Sequence, residues 1–138
     1  MLKRLKDKEE KIEQIIAKLI QESANGTPII VEGKKDKDAL CSLGAEGLVL
    51  TAKTGGKAFL DVVLEIERIG AREVILFLDF DRRGREGTKR LKQDFERIRV
   101  KPNVRFWQEL AGLVNRDIQC VESLNAYLEN LRLKTASI

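Results

Sequence analysis

Apolar residues recur along this chain with two different periods, and segments of the two kinds alternate. Over residues 3–22 they return every three or four positions with lysine and glutamate between them, which is typical of an amphipathic helix. Farther along, short unbroken apolar runs are bounded by turn residues, and such runs are typical of buried strands. The runs predict four strands: 28–31, 48–50, 73–78 and 102–106.

The segments between the predicted strands have helical spacing. They predict four further helices: 34–43, 57–69, 85–98 and 117–131. Strands that alternate with helices favour an α/β fold with a central, mostly parallel four-stranded sheet flanked by helices. We expect a single domain over residues 1–138, divided into an N-terminal helix at 3–24, a core at 27–110 and a C-terminal helix at 115–133.

The N-terminal helix is an addition to this alternating core. Its apolar positions share one face, and Asn25 and Gly26 end it before Pro28 prevents its continuation. Two interpretations stay open. The helix either packs on the domain as a cap or serves as an arm that binds a protein partner.

Composition narrows the chemistry that is available to the chain. There is no histidine, which excludes Ser-His and Cys-His catalysis and most zinc sites. The two cysteines, Cys41 and Cys120, lie in apolar patterns and are expected to be buried thiols. No apolar run approaches the roughly 20 residues of a membrane span, and no signal-peptide core begins the chain, so we expect a cytoplasmic protein without a membrane partner.

Carboxylates follow two of the predicted strands. Glu32 comes after the first strand, and Asp79 and Asp81 come after the third. Strand ends of a parallel sheet meet at one edge, with neighbouring strands about 4.8 Å apart, and residues i and i+2 of an extended chain point the same way. Three carboxylates crowded there repel one another unless a cation lies among them, so the pattern predicts Mg²⁺ or Mn²⁺. Asp81 has a second interpretation as the N-cap of the next helix.

A basic segment follows the aspartates. Residues 82–105 contain ten Lys or Arg and three Asp or Glu, which favours a polyanionic partner, although a solvated helix face explains the same charges. The loop at 53–57 leaves a phosphate contact through backbone N–H groups open. We expect these side chains to bind phosphate: Lys34, Arg82, Arg85, Lys89 and Lys92.

Two motifs resemble those of a known family. Residues 29–36, Ile-Ile-Val-Glu-Gly-Lys-Lys-Asp, resemble the first Toprim motif in the E-G-x-x-D form of bacterial-type primases and of ribonucleases that mature small ribosomal RNA. Residues 79–85, Asp-Phe-Asp-Arg-Arg-Gly-Arg, resemble the second motif, D-x-D-R-x-G-R, with Phe80 where primases commonly have glycine. The two motifs occur in the family's order, and the chain is similar to a small standalone Toprim protein.

The resemblance implies a compact Rossmann-like fold and Mg²⁺ held by Asp79 and Asp81. Glu32 is then a metal ligand or a general acid/base, and Asp36, which matches the primase and ribonuclease form, is a secondary candidate. The function expected first is Mg²⁺-dependent phosphoryl transfer on nucleic acid, most simply cleavage of RNA.

Two alternatives remain open at this point. One is primase-like nucleotidyl transfer, and the other is a non-catalytic nucleic-acid-binding module of an RNA-processing or replication complex. A topoisomerase is disfavoured because the only tyrosine, Tyr127, lies in a predicted packed helix. Phe80 and Trp107 are the only candidates for stacking on bases, and both also fit a core.

Overall fold

A computed structural model describes residues 2–53 and 57–136, apart from the side chain of Lys57. The loop residues 54–56, which were considered as a phosphate contact, lie outside these ranges. In chain order the elements are α1 (Leu2–Ala24), β1 (Ile29–Val31), α2 (Lys34–Ser42), β2 (Val49–Thr51), α3 (Lys57–Ile69), β3 (Glu73–Leu76), α4 (Arg82–Arg97), β4 (Lys101–Asn103), α5 (Arg105–Val114), a 3-10 turn (Val121–Ser123) and α6 (Leu124–Ala136).

The strands form one parallel sheet, which confirms the predicted α/β class. Within the described residues it has four strands in the order β2-β1-β3-β4. Ile29 is level with Val49 of β2 and with Ile75 of β3, so β1 and β3 lie side by side in the middle of the sheet. Pro102 lies on the edge strand β4, where the missing N–H of proline is tolerated.

Successive residues of the central strands face opposite layers of helices. Ile75 and Phe77 belong to a core with α1, α5 and α6, whereas Leu76 and Leu78 belong to a second core with α3 and α4. A strand buried on both faces has no polar alternation, which explains the unbroken apolar runs in the sequence.

The N-terminal helix packs on the domain as a cap. Its apolar face is buried against α5 and α6 through four residues: Ile12, Ile15, Ile16 and Leu19. A protein partner that used this face would first have to displace both helices. None of the described helices is long and apolar enough to cross a membrane.

The predicted strand through Phe106 is wrong at its end. The strand β4 ends at Asn103, and α5 begins at Arg105, whose N–H donates to the Asn103 side-chain oxygen at 3.0 Å. This hydrogen bond turns the chain out of the sheet. The alternation of Val104 and Phe106 predicts a strand, whereas the apolar residues from Phe106 to Val114 follow the helical period.

Several other expectations need correction. The third strand ends at Leu76 rather than at 78, and α4 begins three residues earlier than predicted. The last helix begins at Leu124, after the 3-10 turn. Cys41 is exposed and Cys120 half-buried, so the prediction of two buried thiols is wrong. The division into segments 3–24, 27–110 and 115–133 stays a prediction.

Candidate active site

Glu32 and Asp79 lie at the same edge of the sheet because they follow the neighbouring parallel strands β1 and β3. Glu32 is held by its backbone oxygen, which accepts a hydrogen bond from the N–H of Lys53 at 2.6 Å. Its side-chain oxygen Oε2 is shielded from solvent and has no hydrogen-bond donor among the described residues. Burying an oxygen that accepts no hydrogen bond costs free energy of folding. A cation or proton bound at this atom would therefore stabilise the protein.

Asp79 lies in an irregular segment between β3 and α4. Side chains alternate between the two cores as far as Leu78, but Phe80 returns to the core that holds Phe77. The rings of Phe77 and Phe80 meet edge to face with their centroids 6.4 Å apart. The alternation expected to point Asp79 and Asp81 in the same direction therefore does not hold in this segment.

Two distant parts of the chain hold Asp79 in place. Its Oδ1 accepts a hydrogen bond from the backbone N–H of Val121 at 3.1 Å. The indole N–H of Trp107 donates to the backbone oxygen of Leu78 at 2.9 Å, and the N–H of Phe80 donates to the Gln119 oxygen at 2.7 Å. Trp107 and Phe80 thus fix the backbone around Asp79, and Phe80, only 1% exposed, is not available to stack on a base.

The pKa of Asp79 is raised to about 7, mainly because the group is buried. The neighbouring Glu32 carboxyl group and the negative charge of Asp81 contribute to this rise, whereas the N–H of Val121 opposes it. The Asp79 carboxyl group is therefore near enough to Glu32 for the charge of Glu32 to raise its pKa. Such a pair is typical of a catalytic or metal-binding site.

The raised pKa of Asp79 predicts how stability depends on pH in the absence of metal. Between pH 3.8 and about 7 the folded protein keeps a proton on Asp79 that the unfolded chain has lost. The contribution of this group to stability is therefore present below pH 3.8 and is lost as the pH rises through 7. Urea unfolding in EDTA at a series of pH values is expected to show this loss in the wild type and not in Asp79→Asn. An identical pH profile for both proteins would contradict the raised pKa of Asp79.

Asp81 is the N-cap of α4. Its Oδ1 accepts the N–H of Gly84 at 2.8 Å, which bears out the capping interpretation and leaves Oδ2 for another role. Gly84 lies so close to the preceding segment that a Cβ placed on it would be 2.0 Å from the backbone oxygen of Asp79. The start of α4 is thus pressed directly against the Asp79 backbone.

Asp36 ties α2 to the segment that holds Asp79. It is 6% exposed and accepts backbone N–H groups from Gly33 and from Glu122, each at 3.0 Å. Burial raises the pKa of Asp36, the charge of Asp79 adds to the rise, and the two N–H donors lower it. Because Glu122 and Val121 are consecutive, Asp36 and Asp79 together clamp the 3-10 turn against the site.

The predicted phosphate-binding residues are only partly free for that role. Arg82 forms an exposed ion pair with Glu86 at 3.1 Å, and Arg85 donates to the backbone oxygen of Phe80 at 3.0 Å. The other three are exposed and have no ion-pair partner within the described ranges: Lys34, Lys89 and Lys92.

Glu32 and Lys53 line two clefts. One, of about 300 Å³, is bounded by Arg83 and Arg90 of α4, and the guanidinium of Arg90 lies 5.4 Å from the ring centre of Phe59. Neither arginine is among the predicted phosphate-binding residues, although their seven-residue spacing puts them on one helix face. The other cleft, of about 500 Å³, is lined further by Gly33, Lys34, Lys35, Asp36, Asp79, Cys120 and Glu122.

The acidic residues fit an open magnesium site better than a closed one. Residues 2–53 and 57–136 contain no group of three or more His, Cys, Asp or Glu side chains arranged to enclose a metal ion. Mg²⁺, however, usually keeps several waters and uses one or two protein carboxylates together with substrate phosphates. The close pair of Glu32 and Asp79, with the unpartnered Oε2, meets that requirement.

The two sequence motifs lie within a segment that matches a family profile. The profile of the Toprim domain matches residues 26–105, which include Glu32, Asp36, Asp79 and Asp81. The chain belongs to the Toprim domain family. Toprim domains bind divalent metals such as Mg²⁺ and take part in metal-dependent processing of nucleic acid.

The chain is also similar to archaeal UPF0292 proteins. The chain is 40% identical over 125 residues to one from Methanocaldococcus jannaschii, an alignment that covers 90% of this chain and 94% of that protein. It is 36% identical to one from Methanosarcina barkeri, with 91% of this chain and 86% of that protein covered. A solved structure of a putative protein from Aquifex aeolicus is similar, with a TM-score of 0.64, 27% identity, and coverage of 80% of this chain and 94% of that one.

Proposed function

We propose that this Toprim protein cleaves structured RNA in a phosphoryl-transfer reaction that depends on Mg²⁺ or Mn²⁺. The observation that carries the proposal is the buried Glu32 Oε2, which lacks a donor and lies beside an Asp79 carboxyl group whose pKa is raised to about 7. Like charges held this close are stabilised by a divalent cation. Membership of the Toprim family supports metal-dependent chemistry on nucleic acid.

Glu32 and Asp79 are the residues that would hold the metal ion, together with the Asp81 oxygen that does not cap α4. When bound there, the ion would polarise the scissile phosphate and lower the pKa of a nearby water. Asp36 acts indirectly, because it positions the 3-10 turn whose Val121 N–H orients Asp79. We therefore assign Asp36 to positioning rather than to metal binding.

The remaining polar groups divide between proton transfer and phosphate binding. Glu32 is placed to accept a proton from an attacking water. Lys34 and Lys53 line the same cleft as Asp79, where their charges offset the negative charge that develops on the phosphate. Arg82, Lys89 and Lys92 are exposed on α4 and would bind phosphates of the RNA backbone farther from the reacting phosphate. The ion pair between Arg82 and Glu86 is exposed and exchanges readily, so it leaves Arg82 available for this contact.

Support for RNA as the substrate comes from the first motif. Asp36 completes the E-G-x-x-D form that resembles primases and the ribonucleases of ribosomal RNA maturation. In the structure Asp36 is a buried, hydrogen-bonded residue that orders the site. The proposal favours hydrolysis because it requires only water, a metal ion and the bound strand.

The test is incubation of the protein with end-labelled structured RNA and Mg²⁺ or Mn²⁺, with and without nucleoside triphosphates. We expect shorter products that require the metal and do not require triphosphates. Longer products that require triphosphates would replace cleavage by primase-like transfer. Unchanged RNA with a salt-sensitive gel shift would identify a binding module instead.

Replacement of Glu32 by glutamine is expected to lower the cleavage rate by at least about 100-fold, because a general acid or base typically contributes a rate factor of that size. The change keeps the size of the side chain and removes its charge, so thermal unfolding of the metal-free protein should be little affected. Glu67→Gln, an exposed change on α3, serves as the matched control and should cleave at the wild-type rate. Equal rates for Glu32→Gln and the control would refute the role of Glu32.

A further inference from the structure

A groove of about 1120 Å³ runs between α1 and the C-terminal end of α5, away from the acidic pair. We call it the α1–α5 groove. Five basic side chains and one acidic side chain line it: Lys3, Arg4, Lys8, Lys11, Arg116 and Asp7. Its apolar floor includes the half-buried Leu5 and Leu113. The groove thus carries a strong local excess of positive charge.

The charge of the groove arises because α1 sorts its charged residues between two neighbours. On the side facing α6, Glu9 accepts a hydrogen bond from Thr135, and Glu13 pairs with Arg132 at 3.2 Å. Four of the five basic residues of the first three turns, all except Lys6, instead line the groove on the side of α5. Glu9 and Glu13 are therefore paired with α6, and Asp7 is the one acidic residue of α1 that lines the groove.

Most of the basic side chains in the groove have no partner. Lys8 is the exception, because it forms an ion pair with Asp117 at 3.1 Å and lies over the ring of Tyr127. Within the part of the chain that the structure describes, the other four form no ion pair: Lys3, Arg4, Lys11 and Arg116. Unpaired cations along one groove favour a polyanion that meets several of them at once.

The groove is connected to the site by α5 and lies outside the matched Toprim segment. The same helix carries Trp107, which binds the backbone beside Asp79, and Gly112, which lines the groove about 8 Å farther along the helix axis. Every basic residue of the groove falls in residues 3–11 or at 116, whereas the family profile ends at 105. The surface is thus built by the elements that flank the core.

We propose that the α1–α5 groove is a second nucleic-acid-binding surface, which holds the phosphate backbone of a substrate whose scissile bond lies at the Glu32–Asp79 edge. The inference rests on the proposed function, because the occupant is a strand of the same nucleic acid. Phosphate contacts of this kind position a substrate without reading its sequence. A substrate long enough to reach both surfaces is bound more tightly than a short one.

The test compares two double variants of α1 that remove the same charge. The variant Lys3→Gln with Lys11→Gln removes two positive charges from the groove. The variant Lys6→Gln with Lys18→Gln removes two positive charges at exposed lysines that do not line the groove. Fluorescence anisotropy with labelled RNA and DNA hairpins gives the dissociation constant over a series of salt concentrations. A thermal melt of each variant shows that it is folded.

The groove variant is expected to bind a long hairpin about 5- to 10-fold more weakly than the control, as the loss of two exposed ion contacts predicts. The slope of log K against log salt should fall by about 1.4–1.8 for two lost phosphate contacts. Tighter binding of RNA than of DNA would identify the strand. The cleavage rate of a short RNA that reaches only the Glu32–Asp79 edge should stay at the wild-type value.

Equal binding by the two double variants, with RNA cleavage intact, would overturn the groove and leave the proposed function standing. Failure of the wild type to bind either hairpin would overturn both proposals. If the groove variant lost its cleavage of the short RNA as well, the groove would be part of the reaction site rather than a second surface, and the inference would also fail.

Discussion

Replacement of Asp79 by asparagine is expected to reduce metal-dependent cleavage by at least about 100-fold while leaving the metal-free protein as stable as the wild type or more stable. The loss follows because a metal ion contributes several kcal/mol to stabilising the transition state, and each 1.36 kcal/mol corresponds to a factor of ten in rate. The stability is kept because the amide oxygen of asparagine still accepts the N–H of Val121.

The two effects of Asp79→Asn separate a binding role from a structural one. At pH 8 the wild-type carboxylate is charged beside Glu32, and the amide removes that repulsion. We therefore expect the melting temperature in EDTA to be unchanged or higher in the variant. Addition of Mg²⁺ should raise the melting temperature of the wild type, because a ligand that binds only the folded state stabilises it, and should not raise that of the variant.

Asp38→Asn is the matched control, since it makes the same chemical change on the exposed face of α2. It should retain both cleavage and the stabilisation by Mg²⁺. A folded Asp79→Asn protein that cleaved as fast as this control would end the assignment of Asp79 to metal-dependent chemistry. A variant that failed to respond to Mg²⁺ but still cleaved would show that the metal acts elsewhere.

Replacement of Gly84 by alanine is expected to lower the free energy of unfolding by about 2–3 kcal/mol, the cost of overpacking a tight contact. The new Cβ would lie 2.0 Å from the Asp79 backbone oxygen and 2.6 Å from its carbonyl carbon. Neither is the end of a flexible side chain, so either the start of α4 or the Asp79 segment must move. Cleavage should fall as well if the proposed role of Asp79 holds, because the moving segment carries the Asp79 carboxylate.

Gly112→Ala provides the opposite case on α5. Nothing lies within 4 Å of a Cβ at this position, so alanine meets open space. Its higher helix propensity is expected to raise the free energy of unfolding by about 0.5–1 kcal/mol. Urea unfolding of both variants measures the difference directly. Equal stability of the two alanine variants would show that α4 is not pressed against Asp79.

Much of the fold could be predicted because burial on both faces leaves a local signature. The apolar runs that include Ile29–Val31 and residues 74–76 predicted buried strands, and the spacing from Ile12 to Leu19 predicted the buried face of α1. Each signal depends on residues only a few positions apart. Glu32 and Asp79 were singled out for the same reason, as carboxylates that directly follow such runs.

Local patterns gave a wrong prediction where a short stretch of sequence is compatible with both a strand and a helix. Val104 and Phe106 alternate like a strand, but the Asn103 side chain turns the chain into α5. Phosphate binding by Arg82 and Arg85 stays a prediction, to which the structure adds that Arg85 donates to the Phe80 backbone oxygen. Neither hydrogen bond is recorded in the periodicity of the sequence.

The amino-acid sequence by itself determined the α/β class, the four strands and five of the six helices in the described part of the chain, because each is encoded in spacing within one segment. It also carried the two motifs that resemble Toprim, whereas α5 was not predicted. Only the tertiary structure decided that β1 lies beside β3 and that Asp79 and Asp36 clamp the turn at Val121 and Glu122. Those contacts join residues 42 and 86 positions apart. The raised pKa of Asp79 and the unpartnered Glu32 oxygen exist only once the folded chain has excluded water from around them.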